Sequence, residues 1–232
     1  MMNCHIMTIF PDIINSFISQ SIIKRSQDKD IVNYCVQNIR DFADAPHYKT
    51  DDYPFGGGSG MIFKPEPIFR GYDNIVNNID RDESVRFVFP TPDGKQFDHK
   101  SAMDLSKADN LIFLCGHYKG IDQRVRDEIV TDEFSIGDFV VTGGELPVCL
   151  MLDSIIRLIP GVLNNYESAQ SDSFFSDLLD GAHYTRPEDF RGLKVPDVLL
   201  SGHHENIRKW QKEIREKKTQ DRRPDIWKKY NN

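Results

Sequence analysis

Apolar residues in the first two thirds of the chain fall into short runs separated by stretches of helical period. Residues 5–10 form a compact apolar run that predicts a strand, and residues 12–24 carry Ile13, Ile14, Phe17, Ile18 and Ile22 at helical spacing. Residues 34–39 predict a second strand and residues 68–79 a second helix. Residues 85–90, 111–115 and 139–142, rich in β-branched and aromatic side chains, predict three more strands. Residues 145–159 read as a mostly apolar helix with Pro147 in its first turn and Pro160-Gly161 as its stop. Strands alternating with helices predict an α/β domain on a mostly parallel sheet flanked by helices. Residues 163–173 are polar and aperiodic, as a linker is, and 174–232 read as helices and turns. The expected layout is an α/β domain over 1–163, a linker over 164–173 and a small helical domain over 174–232.

Composition narrows the class. At 39% hydrophobic and 28% charged residues, the chain is an ordinary globular protein. Its four cysteines (Cys4, Cys35, Cys115, Cys149) form no C-x-x-C pair and sit beside apolar residues, so they read as small hydrophobes in a reducing compartment. No apolar run approaches 18 residues, and residues 1–14 lack the pattern of a secretory signal, so the expectation is a cytoplasmic protein with no membrane span. The net charge of −7 hides an asymmetry. Residues 202–232 hold ten basic and five acidic side chains, a balance of +5, and the rest of the chain carries −12. That tail suits a phosphate backbone or a solvated helix face. Trp210 and Trp227, both within it, can stack on bases or pack internally.

Three strand ends carry the chemistry. Residues 85–89 run into P-T-P-D-G (90–94), residues 111–115 into G-H-Y-K-G (116–120), and S-I-G-D-F-V-V-T (135–142) into G-G-E-L-P (143–147). Ligands of open α/β sheets bind outside the carboxyl ends of the strands, and glycines there let main-chain groups approach closely. Three such ends with few ionised side chains suit a flat, neutral ligand such as adenine; taken singly, each glycine only makes a turn. The chain has no G-x-x-x-x-G-K-[ST] and no G-x-G-x-x-G after a strand, which argues against a P-loop and a dinucleotide fold. F-G-G-G-S-G (55–60) reads as a mobile loop, and the histidines, His203-His204 included, are not spaced for zinc; no metal is expected.

The chain resembles the TrmD family of bacterial tRNA (guanine-N1-)-methyltransferases, members of the SPOUT (trefoil-knot) superfamily. The resemblance runs through D-D-Y-P-F-G-G-G-S-G-M (51–61), the 135–147 segment, R-L-I-P-G-V-L (157–163), D-S-F (172–174), H-Y-T-R-P (183–187) and L-S-G-H-H (200–204). It implies a knotted, mostly parallel sheet whose three loops grip S-adenosylmethionine, and a homodimer with each active site at the subunit interface. By position the cofactor residues are Phe89, Thr91, Pro92 and Gly94, then Gly116, Tyr118 and Gly120, then Ile136, Gly137, Asp138, Phe139, Val140, Val141, Gly143, Gly144 and Pro147. The implied reaction methylates N1 of guanosine 37 in tRNA, with Asp172 as general base and Arg157 stabilising charge on O6. Read alone, Asp172 is a helix cap and Arg157 a surface ion-pair partner. Arg186, His204, Arg208 and Arg215 are the implied contacts to the tRNA anticodon arm, and Asp51, Gly60 and Ser168 are implied as further substrate-binding residues.

The sequence departs from the family in places. C-G-R-Y-E-G stands here as C-G-H-Y-K-G, with His117 for Arg and Lys119 reversing the charge of Glu. T-P-D-G replaces S-P-Q-G, Tyr53 replaces Arg, and His203 replaces Asn. Two alternatives follow: a catalytically weakened tRNA-binding relative, which Lys119 favours, or a SPOUT methyltransferase for another RNA base.

Overall fold

The computed structural model describes residues 1–163 and 172–231. They form two compact units that divide after residue 164.

The first unit is built on a five-stranded sheet. Its strands are β1 (Met2–Thr8), β2 (Val32–Asn38), β5 (Val85–Gln96), β6 (Asn110–Leu114) and β7 (Asp132–Ser135), in the order β2-β1-β6-β5-β7 with every pairing parallel. Parallel sheets need cover on both faces, and the sequence supplies it by alternation along near-continuous apolar runs. Cys4, Ile6, Leu111, Phe113 and Val88 point to one face, where α1 (Pro11–Ile18), α2 (Ser21–Asp28), α4 (His99–Leu105) and α6 (Glu145–Ile156) pack. Met7, Ile112, Leu114, Phe87 and Phe89 point to the other, under α3 (Pro65–Val76) and α5 (Gln123–Glu128). All five residues of β6 are buried, which makes it the centre of the core. A short hairpin-like pair, β3 (Asp51–Asp52) and β4 (Ile62–Phe63), stands outside the main sheet.

Four sequence expectations change. The helix expected over 12–24 is two helices, because the Ser19-Gln20-Ser21 run favours local hydrogen bonds over helix and Ser21 turns the chain at φ +54°. The strand expected to stop at Pro90 continues to Gln96: Pro90 and Lys95 both face Phe134 of β7, and residues 91–94 loop out between them. A bulge is where a strand accommodates proline, since no ladder hydrogen bond is asked of it there. Residues 139–142 are not a strand at all. Phe139 is 56% and Val140 83% exposed, and the edge of β5 is already paired by β7. Gly137, at φ +146°, turns the chain away from the sheet just after β7 ends. The apolar helix expected to reach 159 ends at Ile156, and a tight turn carries the chain on through Leu158 and Ile159.

Among its described residues the second unit holds a two-stranded hairpin, β8 (Asp189–Phe190) with β9 (Leu193–Lys194), and three helices: α7 (Asp197–Leu200), α8 (His204–Arg222) and α9 (Pro224–Tyr230). Thr219, fully buried on α8, ties the preceding loop down: its hydroxyl accepts from Leu179 N–H at 2.9 Å and donates to Arg215 C=O at 2.7 Å. Trp210 and Trp227 pack beside Tyr184 and Tyr230, at ring separations of 6.4 and 5.6 Å. The expected linker over 164–173 lies largely outside the described residues.

Candidate active site

At the bulge of β5 and beyond the carboxyl ends of β6 and β7, three chain segments enclose a cleft of about 740 Å³, its open mouth included. Phe89, Thr91 and Pro92 line it from the first segment. Gly116, Tyr118 and Gly120 line it from the second. Ile136, Gly137, Phe139, Val140 and Val141, with Gly143, Gly144 and Pro147, complete the wall. Of the positions that the sequence points to for a cofactor, only Gly94 and Asp138 are absent from the lining. Gly94 has another reason to be glycine: a Cβ there would stand 2.6 Å from Phe134 N and 2.7 Å from the Glu133 carbonyl carbon.

Three glycines on the cleft, Gly116, Gly143 and Gly144, are demanded by packing. A Cβ on Gly144 would lie 2.6 Å from Gly116 N and 2.7 Å from Cys115 Cα, and Gly144 N–H donates to Gly116 C=O at 2.7 Å. A Cβ on Gly116 would lie 2.9 Å from the Phe89 ring. The second and third segments therefore meet main chain to main chain and the first meets the second through the Phe89 ring, leaving a pocket walled by peptide groups and mostly apolar side chains. Residues 139–142, with Phe139, Val140 and Val141 exposed, are wall rather than strand.

Each segment is braced from behind. Behind the first, Arg126 bridges Glu133 at 2.6 Å and Asp93 at 2.9 Å, with its guanidinium 5.8 Å over the Phe89 ring. Hydrogen bonds from Thr91 and Arg126 hold the Asp93 carboxyl below the usual carboxylate range. The second is braced by the β3–β4 loop: Lys119 N–H donates to Met61 C=O at 2.9 Å and Phe63 N–H to Gly120 C=O at 3.0 Å. This brings Asp51 and Gly60 to the second segment. A Cβ on Gly60 would stand 3.5 Å from Lys119 Cβ, and burial followed by the Asp51 carboxylate pushes the Tyr118 phenol above its ordinary range.

Beneath the third lies a polar chain that the sequence reading passed over. Glu145, the first residue of α6, is only 3% exposed. Its carboxylate accepts from Thr8 Oγ1 at 2.5 Å and from His117 Nε2 at 2.7 and 2.9 Å. A carboxylate in the first turn of a helix is favoured by the helix dipole, but burial requires that its oxygens be hydrogen-bonded. The signal in the sequence was an acid opening an otherwise apolar helix.

The remaining residues divide between the units. Arg157 caps the carboxyl end of α6 in the first unit and is half-buried; Asp172 opens the described part of the second and is also half-buried. In that second unit Arg186, His204 and Arg208 are exposed. Arg215 is half-buried, donating to Ser176 Oγ at 2.8 Å and Leu179 C=O at 3.3 Å. Ser168 lies outside the described residues. Among the described residues no group of three His, Cys, Asp or Glu side chains is placed to hold a metal ion, and no helix is long and apolar enough to cross a membrane.

Comparison with known proteins adds the chemical class. The family model for tRNA (guanine-1)-methyltransferase TrmD matches residues 2–229. A tRNA (guanine-N(1)-)-methyltransferase of Clostridioides difficile (strain 630) is 51% identical over 232 residues, covering 99% of this chain and 99% of its own. The protein of the same name from Staphylococcus aureus (strain JH9) is 48% identical over 224 residues, covering 97% of this chain and 90% of its own.

Proposed function

The chain belongs to the tRNA (guanine-1)-methyltransferase family, and from that membership we propose that it methylates N1 of guanosine 37, beside the anticodon of tRNA, using S-adenosylmethionine. It is an enzyme that methylates guanine N1 in tRNA. The observation that carries the choice of donor is the cleft at the bulge of β5 and the ends of β6 and β7, where the absence of a Cβ on Gly116, Gly143 and Gly144 lets the surrounding segments close up and puts peptide groups on the wall. Its peptide groups suit the edge of an adenine and its apolar walls suit the ring faces. When bound, S-adenosylmethionine supplies an electrophilic methyl group on a sulfonium.

The protein's task is to make guanine N1 a nucleophile. In the neutral base that nitrogen carries a proton, which must leave as the N–C bond forms. Asp172 is the proposed base that takes it, and positioned bases contribute about 10²–10⁴-fold. Loss of the proton moves negative charge towards O6, where the Arg157 guanidinium is the proposed counter-charge. The +5 balance of residues 202–232, with the exposed Arg186, His204 and Arg208, provides a field for the phosphates of the anticodon arm. Bases of a loop are already partly unstacked, which lowers the cost of presenting one to a pocket.

A second copy of the chain is the proposed partner. A mostly apolar helix belongs in an interior, yet α6 leaves Leu146 66% and Leu150 49% exposed, and α1, which packs on it, leaves Ile13 43% exposed. Sedimentation velocity should show a dimer, and Leu150→Glu should shift it to monomer; a wild-type monomer at micromolar concentration would refute this. The proposed knot threads the three cleft segments, and the proposed location is the cytoplasm, where tRNA is found.

Single-turnover transfer from labelled S-adenosylmethionine to unmodified tRNA tests the reaction. Transfer to a G37 transcript, none to an A37 transcript, and a fall of about 10²–10⁴-fold in Asp172→Ala are expected. Equal transfer to both transcripts would overturn the choice of base.

A further inference from the structure

His117 was visible in the sequence only as a departure from the family motif, yet it stands where three segments meet. Its Nε2 hydrogen-bonds both oxygens of Glu145, at 2.7 and 2.9 Å, and Glu145 in turn holds Thr8 Oγ1 at the end of β1. Thr8 Oγ1 also accepts from Phe10 N–H at 2.9 Å, so the chain of hydrogen bonds continues into the start of α1. The imidazole lies edge-on to Phe10, Phe63 and Tyr118, with centroids 5.0, 6.4 and 6.3 Å away. Gly143 backs onto it so closely that a Cβ there would fall 2.2 Å from the ring. His117 also lines the cleft, between Gly116 and Tyr118.

We propose that His117 is a positioning residue for the methyl donor, acting through Glu145 to hold the Gly143–Gly144 main chain against Gly116. The argument is one of constraint. Gly144 N–H donates to Gly116 C=O at 2.7 Å, and the next residue is Glu145, so the direction of the Glu145 side chain and the placement of this wall are coupled by one peptide. A buried carboxylate keeps its place only while its oxygens are satisfied. Thr8 supplies one hydrogen bond; His117 supplies the other, from the loop that forms the opposite wall. With the His117 N–H removed, the buried Glu145 carboxylate loses its partner on the opposite wall and swings towards water, which releases Gly143 and Gly144. An arginine at 117 would restore the link, because a guanidinium fork reaches both carboxylate oxygens.

The inference rests on the proposed donor, so the test separates the two. Binding of S-adenosylmethionine is measured by calorimetry on the full chain, with unliganded melting curves as the check on folding and steady-state KM values for both substrates. Wild-type protein that fails to bind S-adenosylmethionine overturns the functional reading itself. Given wild-type binding, His117→Ala and His117→Phe should each weaken the Kd roughly tenfold or more while the KM for tRNA stays within about twofold. His117→Phe keeps the ring volume against Gly143 and removes only the donor, so it remains informative should the alanine variant not fold. His117→Arg should recover binding to within about threefold of wild type. Wild-type affinity in folded His117→Phe, or His117→Arg binding no better than His117→Phe, overturns the proposal.

Discussion

Replacing Gly144 with alanine adds a single methyl group where the cleft is tightest. The new Cβ would stand 2.6 Å from Gly116 N, 2.7 Å from Cys115 Cα and 3.0 Å from Cys115 C. Ordinary non-bonded contact is about 3.5–4.0 Å, so the overlap is about 1 Å. All three atoms are main chain next to the buried β6, and no side-chain rotation relieves the clash. Gly144 sits at φ −77°, ψ −9°, which alanine adopts freely, so the penalty is steric alone. Overpacking of this kind costs about 1–3 kcal/mol, offset by roughly 0.4–1 kcal/mol from a less flexible unfolded chain. A net loss of about 1–2 kcal/mol lowers Tm by roughly 2–8 °C in a protein of this size. The same displacement moves Gly144 N–H and Gly116 C=O on the donor wall, so affinity for S-adenosylmethionine should fall by more than stability alone explains. Differential scanning calorimetry without ligand and titration with S-adenosylmethionine read the two effects. Gly181→Ala is the control, since its Cβ would meet nothing nearer than Arg215 Cγ at 3.4 Å. A Gly144→Ala protein with wild-type Tm and wild-type Kd would refute the main-chain packing argued for the second and third segments.

The Arg86–Asp132 pair should make stability acid-sensitive. Burial raises the Asp132 pKa, but hydrogen bonds from Arg86 and Thr131 outweigh it and hold the carboxyl below the usual range, so its contribution is full above about pH 4 and is lost as pH falls further. Asp132→Asn should therefore lose roughly 1.5–3 kcal/mol at pH 7 by urea denaturation, with the gap to wild type closing towards pH 3; a gap constant with pH would contradict this. In the second unit two arginines should part company. Arg208→Ala, an exposed cation, should leave Tm unchanged and reduce the salt slope of tRNA binding by about 0.7–0.9, whereas Arg215→Ala, which loses its bonds to Ser176 and Leu179, should lower Tm; filter binding across a salt series with parallel melts would show otherwise if both behaved alike.

The glycine-rich segments of the cleft were legible before any fold was known, because close main-chain approach restricts a position to glycine wherever it occurs, although only 116–120 follows a strand end as expected. So were the central strand, expected over 111–115 and found at Asn110–Leu114, and the parallel arrangement, which follows from apolar runs alternating with helices. Propensity misled at 139–142, where β-branched residues line a cleft instead of pairing, and at Pro90, where a bulge lets the strand continue. Both errors have one source: strand formation is a pairing event, and whether a partner's edge is open is not written in the segment itself.

The sequence by itself determined which stretches could be buried on both faces of a sheet, where the chain had to turn, and the family to which those motifs belong. The tertiary structure alone decided which of those stretches meet. It joined Thr8, His117 and Glu145, up to 137 positions apart, into one buried chain of hydrogen bonds, and it set Gly144 against Gly116. Helical and strand periods are local properties that a sequence displays directly. The partner of a buried charge is fixed by which distant segments burial brings together, and only the folded chain contains that information.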